Sequence, residues 1–223
     1  MKRACIFDLD GTLTDTVETL SYFVNTTLAQ YNLGNIESEK FKYLAGDGAR
    51  NLIKRSLALC LDSWEKDFED KVLREYNAAY DNDFMRLCKV YDGIPELLQE
   101  LKARNIKLAV FTNKPQPTAE KTVEHFLGEH TFDVIFGQKE AFPIKPDPAG
   151  CKEILRRLQV SAEECLYIGD TATDMKTGKN ARLFTVGVLW GFRKRAELEA
   201  AGADAIIEKP LELLKFCNFP SEH

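Results

Sequence analysis

Five short apolar runs, three of which end in polar residues, recur along the chain and alternate with helical patterns. The runs are rich in β-branched and aromatic residues, as buried strands are. They lie at Ala4 to Asp8, Lys107 to Thr112, Asp133 to Phe136, Cys165 to Asp170 and Phe184 to Leu189, with a weaker run at Ala205 to Ile207. Strands that alternate with helices predict a parallel sheet covered on both faces. We therefore predict an α/β fold with a doubly wound parallel sheet.

The segment from Asp15 to about Met85 departs from this alternation. It shows amphipathic stripes typical of helices and no convincing strand. The stripes are Val17-Leu20-Val24-Leu28-Tyr31, Leu52-Ile53-Leu57 and Phe68-Val72-Leu73-Tyr76. We therefore expect a small all-helical domain at residues 15–85, inserted after the first strand of a core formed by residues 1–14 and 86–223.

Composition narrows the class of protein and its partners. The net charge of -5 and the lack of a long Lys/Arg tract argue against a nucleic-acid partner. The six cysteines form no Cys-x-x-Cys pair, which favours a reducing compartment. No signal-peptide pattern and no apolar run long enough to span a bilayer occur in the sequence. We expect a cytoplasmic protein with no membrane partner.

Acids, hydroxyls and amides follow three of the predicted strands. They are Asp8 and Asp10 after the first strand, Thr112 and Asn113 at the end of the second, and Asp170 and Asp174 after the fourth. In open parallel sheets, ligands bind beyond these carboxyl ends. Two like charges about 4 Å apart repel by about 4 kcal/mol at an effective dielectric near 20, so crowded carboxylates require protons or a cation. Oxygen ligands favour Mg2+ over zinc or copper.

Two basic residues are candidates for binding an anion. Lys145 lies in a proline-rich loop, where Pro143 and Pro146 restrict the backbone and lower the entropy lost in aiming the side chain. Arg50 follows Gly48 at a predicted helix entry, and its guanidinium could bind a substrate carboxylate in a fork. The alternative for Arg50 is an exposed arginine after a plain glycine-rich turn.

Four motifs resemble a known family in order and in spacing. DLDGTLTDT, FTNK, KPDP and GDTATDM are similar to the four motifs of the haloacid dehalogenase-like phosphohydrolases. The insert resembles the helical cap of the subfamily that includes phosphoglycolate phosphatase. GDGAR and GVLWGFRKRAELEAAGADAIIEKPLEL extend the resemblance over nearly the whole chain. The resemblance implies a Rossmann-like core with a helical cap, and a Mg2+-dependent phosphatase that acts on a small phosphate monoester.

The resemblance also implies catalytic roles for matching residues. Asp8 would attack phosphorus and form an aspartyl-phosphate. Asp10 would protonate the leaving oxygen and then take a proton from the hydrolytic water. Thr112 and the Asn113 backbone amide would hold phosphoryl oxygens, and Lys145 would oppose the charge of the transferring group.

The metal site follows from the same resemblance. Asp8, the Asp10 carbonyl and Asp170 would ligate Mg2+, while Asp174 would orient a metal-bound water or Lys145. Asp170 could instead cap the helix that follows it. Phosphoglycolate is the first candidate substrate, because Arg50 could bind its carboxylate.

Several alternatives to this assignment stay open. A sugar phosphate, a nucleotide or pyrophosphate would suit the same core, and so would a mutase. Phosphonate cleavage would require a cap lysine, for which Lys42 and Lys54 are candidates, whereas a dehalogenase has no use for Asp10. A phosphoacceptor switch uses similar acids but needs no insert, and a binding scaffold without turnover would not need the acid pair. The protein could be a monomer or a homodimer.

Overall fold

The computed structural model describes residues 1–217 and contains a six-stranded sheet. The described residues contain eight strands. The strands are β1 (Ala4–Phe7), β2 (Thr14–Asp15), β3 (Lys89–Val90), β4 (Lys107–Pro115), β5 (Val134–Gln138), β6 (Cys165–Gly169), β7 (Phe184–Val188) and β8 (Ala205–Ile207). All but β2 and β3 belong to this sheet. The main sheet has the order β5-β4-β1-β6-β7-β8, and all of its pairs are parallel. The predicted α/β fold with a parallel sheet is confirmed.

Nine α-helices and three short 3-10 helices complete the described residues 1–217. The α-helices are α1 (Val17–Ala29), α2 (Phe41–Leu44), α3 (Ala49–Ala58), α4 (Lys66–Asp83), α5 (Ile94–Ala103), α6 (Gln116–Leu127), α7 (Ala149–Leu158), α8 (Ala172–Asn180) and α9 (Arg195–Ala200). The 3-10 helices are Ser38–Lys40, Ala162–Glu164 and Pro210–Phe216. Within residues 1–217, no helix is both long enough and apolar enough to span a membrane.

The sheet is buried on both faces, as the apolar runs predict. Along β1, Cys5 and Phe7 pack into one apolar cluster with side chains of α5 and α6. Ala4 and Ile6 alternate with them and pack into a second cluster with side chains of α7. Because successive strand residues point to opposite faces, a continuous apolar run is what a strand between two helical layers requires.

The strand order brings three polar strand ends together. β1 lies between β4 and β6, with Phe7 paired to Val110 and to Ile168. The chain proceeds from β1 to β4 and β5 on one side, and then crosses to β6 on the other. This reversal is the topological switch point at which such sheets bind ligands.

The chain divides into two compact units. One consists of Met1–Thr14 together with the chain from Val90 onward, and the other is Asp15–Lys89. The predicted cap boundary after residue 85 lies four residues before this division. The assignment of residues 15–85 as a cap domain stays a prediction. The predicted core range, residues 1–14 and 86–223, includes residues 218–223, which lie outside the described residues.

The second unit is built from α1 to α4 and packs around aromatic side chains. The ring of Phe23 on α1 meets that of Tyr80 on α4 edge-on, with centroids 5.4 Å apart. Tyr31, just after α1, meets Phe68 of α4 in the same way at 5.0 Å. Tyr31 and Phe68 belong to the stripes that predicted these helices, whereas Phe23 and Tyr80 do not. Asp15, expected to be helical, instead ends the two-residue strand β2.

Candidate active site

Three carboxylates converge at the carboxyl edge of the sheet. Asp8 follows β1, Asp170 follows β6, and Asp174 lies in the first turn of α8. One oxygen from each lies within 4.8 Å of the others, and all three residues are buried. Burial raises the pKa of Asp8 well above its ordinary value, and repulsion from Asp174 adds to this effect. Burial also raises the pKa of Asp170 to about 7, again with a contribution from Asp174.

Lys145 supplies a positive charge inside this cluster. Its Nζ lies 2.8 Å from Oδ1 of Asp8 and 2.8 Å from Oδ1 of Asp174. Burial alone would lower the pKa of Lys145, but attraction to Asp174 and Asp8 outweighs burial, so this pKa lies above the ordinary lysine value. Three carboxylates against one ammonium leave an excess of negative charge in a buried space, which favours an additional cation.

The donor set fits Mg2+. The grouped ligand atoms are carboxylate oxygens, and within residues 1–217 no histidine or cysteine belongs to the group. Hard oxygen donors are what Mg2+ prefers, and sites of this kind leave positions for water and a substrate phosphate. The carboxylate of Asp10 is not a member of the group, so the expected contribution of Asp10 through its carbonyl stays a prediction.

Asp170 is held in place by hydrogen bonds and by close packing. Thr12 Oγ1 donates to its Oδ1 at 3.0 Å, and the Phe192 backbone N–H donates to its Oδ2 at 2.8 Å. Gly11 packs directly against the same carboxylate, because a Cβ at Gly11 would lie 2.2 Å from Asp170 Oδ2. Gly11 also has a φ of 86°, which favours glycine.

Asp174 has its carboxylate oxygens engaged within the protein. Oδ1 accepts from Lys145 Nζ at 2.8 Å and from the Tyr167 hydroxyl at 3.3 Å. Oδ2 accepts from the Thr171 backbone N–H and from Thr171 Oγ1, at 3.1 and 2.7 Å. Thr171, rather than Asp170, is the N-cap of α8, and it forms a capping box with Asp174. These contacts favour Asp174 as the residue that positions Lys145.

Thr112 and Asn113 lie in an irregular stretch of β4. The register between β4 and β5 shifts between Phe111 and Pro115, so this part of β4 bulges and its side chains are re-aimed. Thr112 is buried, and its Oγ1 accepts from the Lys114 backbone N–H at 3.2 Å. The expected phosphate contacts of Thr112 and of the Asn113 backbone amide stay predictions.

The Asn113 side chain has a role that the sequence did not reveal. Its Oδ1 accepts from the Lys145 backbone N–H at 2.9 Å, and its Nδ2 lies 3.5 Å from the Lys145 carbonyl oxygen. This pair of contacts fixes the Lys145 backbone to β4 across 32 residues of sequence. A side-chain amide within the FTNK motif was the available signal, but nothing in the spacing identified its partner.

Lys114, from the same motif, was also missed. It is a buried residue, and its Nζ lies 3.1 Å from Oδ1 of Asp10. The sequence predicted a role for Asp10 but assigned none to Lys114. The available signal was a lysine directly after the polar residues Thr112 and Asn113 at a strand end.

Arg50 lies in the first turn of α3 and is paired with acids of α4. Its Nη1 lies 2.6 Å from Oδ1 of Asp70 and 3.5 Å from Oε1 of Glu69. The hydrogen bond from Arg50 lowers the pKa of Asp70. The sequence allows two interpretations of Arg50, as a substrate ligand or as an exposed residue. The structure adds that Arg50 has these two acidic partners. Lys42, a candidate for phosphonate chemistry, pairs with Glu39 at 2.9 Å.

Comparisons with known proteins agree with this fold. The family model of the haloacid dehalogenase-like hydrolases matches residues 5–188. A phosphoglycolate phosphatase of Rhodospirillum rubrum is 34% identical, covering 99% of this chain and 92% of its own. An N-acetylmuramic acid 6-phosphate phosphatase of Pseudomonas aeruginosa is 29% identical, covering 95% and 93%. A crystal structure from Lactobacillus delbrueckii subsp. bulgaricus, provisionally assigned as a phosphoglycolate phosphatase, has a TM-score of 0.92 at 27% identity, covering 97% and 99%.

The extent of these matches establishes the class of protein. The chain belongs to the haloacid dehalogenase-like hydrolase family, and it is therefore an enzyme of the hydrolase class. Within that family it is similar to the phosphoglycolate phosphatases, both in sequence and in structure. The sequence-based assignment to this family and to its phosphoglycolate phosphatase-like group is confirmed.

Proposed function

We propose that the protein is a Mg2+-dependent phosphatase that hydrolyses a small phosphate monoester through an aspartyl-phosphate on Asp8. The observation that carries the proposal is the buried cluster at the edge of the sheet, in which Lys145 contacts Asp8 and Asp174 at 2.8 Å. A buried carboxylate beside a lysine and two further acids is suited to phosphoryl transfer, because charge must be neutralised where it develops. The phosphatase relatives support the same reaction.

Asp8, Asp170 and the carbonyl of Asp10 are the proposed Mg2+ ligands. Bound Mg2+ would neutralise the phosphoryl oxygens and so permit one anion to approach another. Asp174 accepts from Lys145 through Oδ1 and closes the capping box of α8 through Oδ2, so we assign it to the positioning of Lys145. Lys145 would contact the phosphoryl group and oppose its charge.

The proposed reaction has two steps. In the first, an oxygen of Asp8 forms a bond to phosphorus while the ester P–O bond breaks, and Asp10 gives its proton to the leaving oxygen. In the second, Asp10 takes a proton from water as that water attacks phosphorus. This step breaks the bond between Asp8 and phosphorus and releases inorganic phosphate. Thr112 and the Asn113 backbone amide would hold phosphoryl oxygens in both steps.

Phosphoglycolate is the substrate that we propose first, with residues 15–85 acting as a cap that selects it. The relatives named phosphoglycolate phosphatase support this choice. Arg50 would release its partner Asp70 and bind the substrate carboxylate instead. A sugar phosphate is the second candidate, because a relative of similar coverage is named for N-acetylmuramic acid 6-phosphate.

The phosphatase proposal is tested with p-nitrophenyl phosphate, in the presence and absence of Mg2+. We expect Mg2+-dependent release of phosphate by the wild type and losses in kcat of at least about 100-fold in Asp8→Asn, which cannot form the intermediate, and in Asp10→Asn, which cannot activate the hydrolytic water. Asp92→Asn, which changes an exposed acid, is the matched control and should retain activity. Wild-type protein without Mg2+-dependent turnover would refute the proposal. A substrate panel with phosphoglycolate and N-acetylmuramic acid 6-phosphate then separates the two candidates.

A further inference from the structure

Lys114 is a buried lysine that faces the carboxylate of Asp10. The two atoms Lys114 Nζ and Asp10 Oδ1 lie 3.1 Å apart, and only 5% of the Lys114 side chain is exposed. We propose that Lys114 is a positioning residue, whose ammonium group holds the Asp10 carboxyl group where it exchanges a proton with the leaving group and with water. This inference rests on the proposed function of Asp10 and extends it to a residue outside the phosphate and metal sites.

The contact is an ion pair rather than a well-aligned hydrogen bond. Oδ1 of Asp10 is itself buried, and within residues 1–217 no donor reaches it with hydrogen-bond geometry. A lysine is rarely buried unless an opposite charge compensates it, and Asp10 provides that charge. The attraction is strong because water is largely excluded from the Lys114 side of the pair.

The backbone indicates which partner fixes the other. Lys114 belongs to β4, and its backbone N–H donates to Thr112 Oγ1 at 3.2 Å within the bulged stretch. Asp10 lies outside the main sheet, next to Gly11, whose φ is 86°. Lys114 is therefore anchored by an inner strand of the sheet, whereas Asp10 precedes the turn at residues 11–13 and forms only an isolated bridge to Thr14. We infer that the strand orients the side chain of Asp10.

This arrangement assigns different tasks to the two oxygens of Asp10. Oδ1 faces Lys114, which leaves Oδ2 to carry the exchanged proton. As an oxygen of Asp8 bonds to phosphorus and the ester P–O bond breaks, the electron pair of that bond moves to the leaving oxygen, which takes the proton from Oδ2. In the hydrolytic step, Oδ2 takes a proton from water as the oxygen of that water bonds to phosphorus and the bond between Asp8 and phosphorus breaks. Lys114 forms and breaks no covalent bond in either step, because its role is to hold Asp10 in position.

The dependence of rate on the leaving group separates this role from a structural one. A p-nitrophenolate leaves without help from an acid, whereas the alkoxide of propyl phosphate requires a proton. The ratio kcat/KM reports the steps through loss of the leaving group, so a misplaced Asp10 affects the alkyl ester selectively. Neither ester carries a charge apart from its phosphate, so a contact between Lys114 and a substrate carboxylate does not contribute.

We expect Lys114→Met to lower kcat/KM for propyl phosphate by about 100-fold or more, and for p-nitrophenyl phosphate by less than about 10-fold. Lys114→Arg should restore a large part of the alkyl activity, because it returns a positive charge to the same strand position. Lys107→Met is the matched control. Lys107 lies at the other end of β4, where its Nζ donates to the Leu158 carbonyl at 2.6 Å, and its loss should leave the ratio of the two rates unchanged.

The outcomes distinguish failure of this inference from failure of the proposed function. If the wild type cleaves neither ester, the phosphatase proposal fails. If Asp10→Asn loses alkyl activity selectively but Lys114→Met loses both activities equally, or neither, the role of Lys114 is wrong and that of Asp10 stands. Thermal unfolding checks that each variant is folded, and Lys114→Gln replaces Lys114→Met if the methionine variant does not fold.

Discussion

At the scale of single residues, the site depends on contacts too close to admit extra atoms. Gly11 shows this most clearly, because a Cβ there would lie 2.2 Å from Asp170 Oδ2. Its φ of 86° adds a second constraint, since a side chain is strained in that region. The DG step of the first motif therefore has a physical reason that goes beyond the formation of a turn.

Gly11→Ala should displace Asp170 and weaken the metal site. We expect a loss of unfolding free energy of about 2 kcal/mol or more, together with a clear loss of Mg2+ affinity measured by calorimetry. Gly202→Ala is the control, because Gly202 has a similar φ of 92° but its nearest neighbour is the flexible Lys179 side chain at 3.5 Å. Unchanged Mg2+ affinity in Gly11→Ala would contradict the assignment of Asp170 as a ligand.

At the scale of elements, short connections between neighbouring helices and strands hold the functional side chains. The capping box joins Thr171 to Asp174 at the start of α8, and Asp174 in turn holds Lys145. In the second unit, Arg50 at the start of α3 is paired with Asp70 of α4. Arg55, one turn further along α3, pairs with Asp47 at 2.6 Å. The two arginines thus have similar ion pairs, but only Arg50 is expected to bind substrate.

Arg50→Ala should lower kcat/KM for phosphoglycolate by about 10-fold or more relative to p-nitrophenyl phosphate, because a charge-assisted hydrogen bond to the carboxylate is lost. Arg55→Ala is the matched control on the same helix. Both variants should lose little stability, about 0 to 1 kcal/mol, since these pairs are partly exposed. Equal losses on both substrates would remove Arg50 from substrate recognition.

At the scale of the whole molecule, the buried acids couple stability to pH and to metal. The pKa of Asp170 is raised from 3.8 to about 7, so between these values the folded protein binds more protons at this site than the unfolded chain does. Stability contributed by the protonated form is therefore present at low pH and is lost as the pH rises toward 7. A bound cation favours the ionised form and opposes this loss.

In EDTA, the melting temperature should fall between pH 5 and pH 7.5, and Mg2+ should raise it more at pH 7.5 than at pH 5. Exposed acids such as Glu153, whose pKa is lowered to about 2, titrate below this range. The comparison is made with Asp170→Asn, in which the fall should be smaller because the titrating group is gone. A wild-type melting temperature in EDTA that rises over this range, with no such difference from the variant, would contradict the expectation.

The sequence predicted what depends on local pattern and on the rules of parallel sheets. Apolar runs located all six strands of the main sheet, and the polar strand ends located the edge where Asp8 and Asp170 meet. It did not predict the link from the Asn113 side chain to Lys145, because that contact spans 32 residues and depends on how one loop crosses a strand end.

Two further contacts could not be predicted from the sequence, for related reasons. Lys114 pairs with Asp10 where the register of β4 is irregular. Such an irregularity cannot be recognised from the alternation of side chains in the sequence. The partners of Arg50 depend on the packing of α3 against α4, and helical periodicity gives the buried side of each helix without giving its neighbour.

The central position of β1 affects how the protein matures during synthesis. Its partners are residues 107–110 on one side and residues 165–168 on the other. β1 leaves the ribosome before both of its partners, so its edges are covered only after these two later segments are made. Asp8 can meet Asp170 only after synthesis has passed residue 170, so the acid cluster forms well after β1 itself is made.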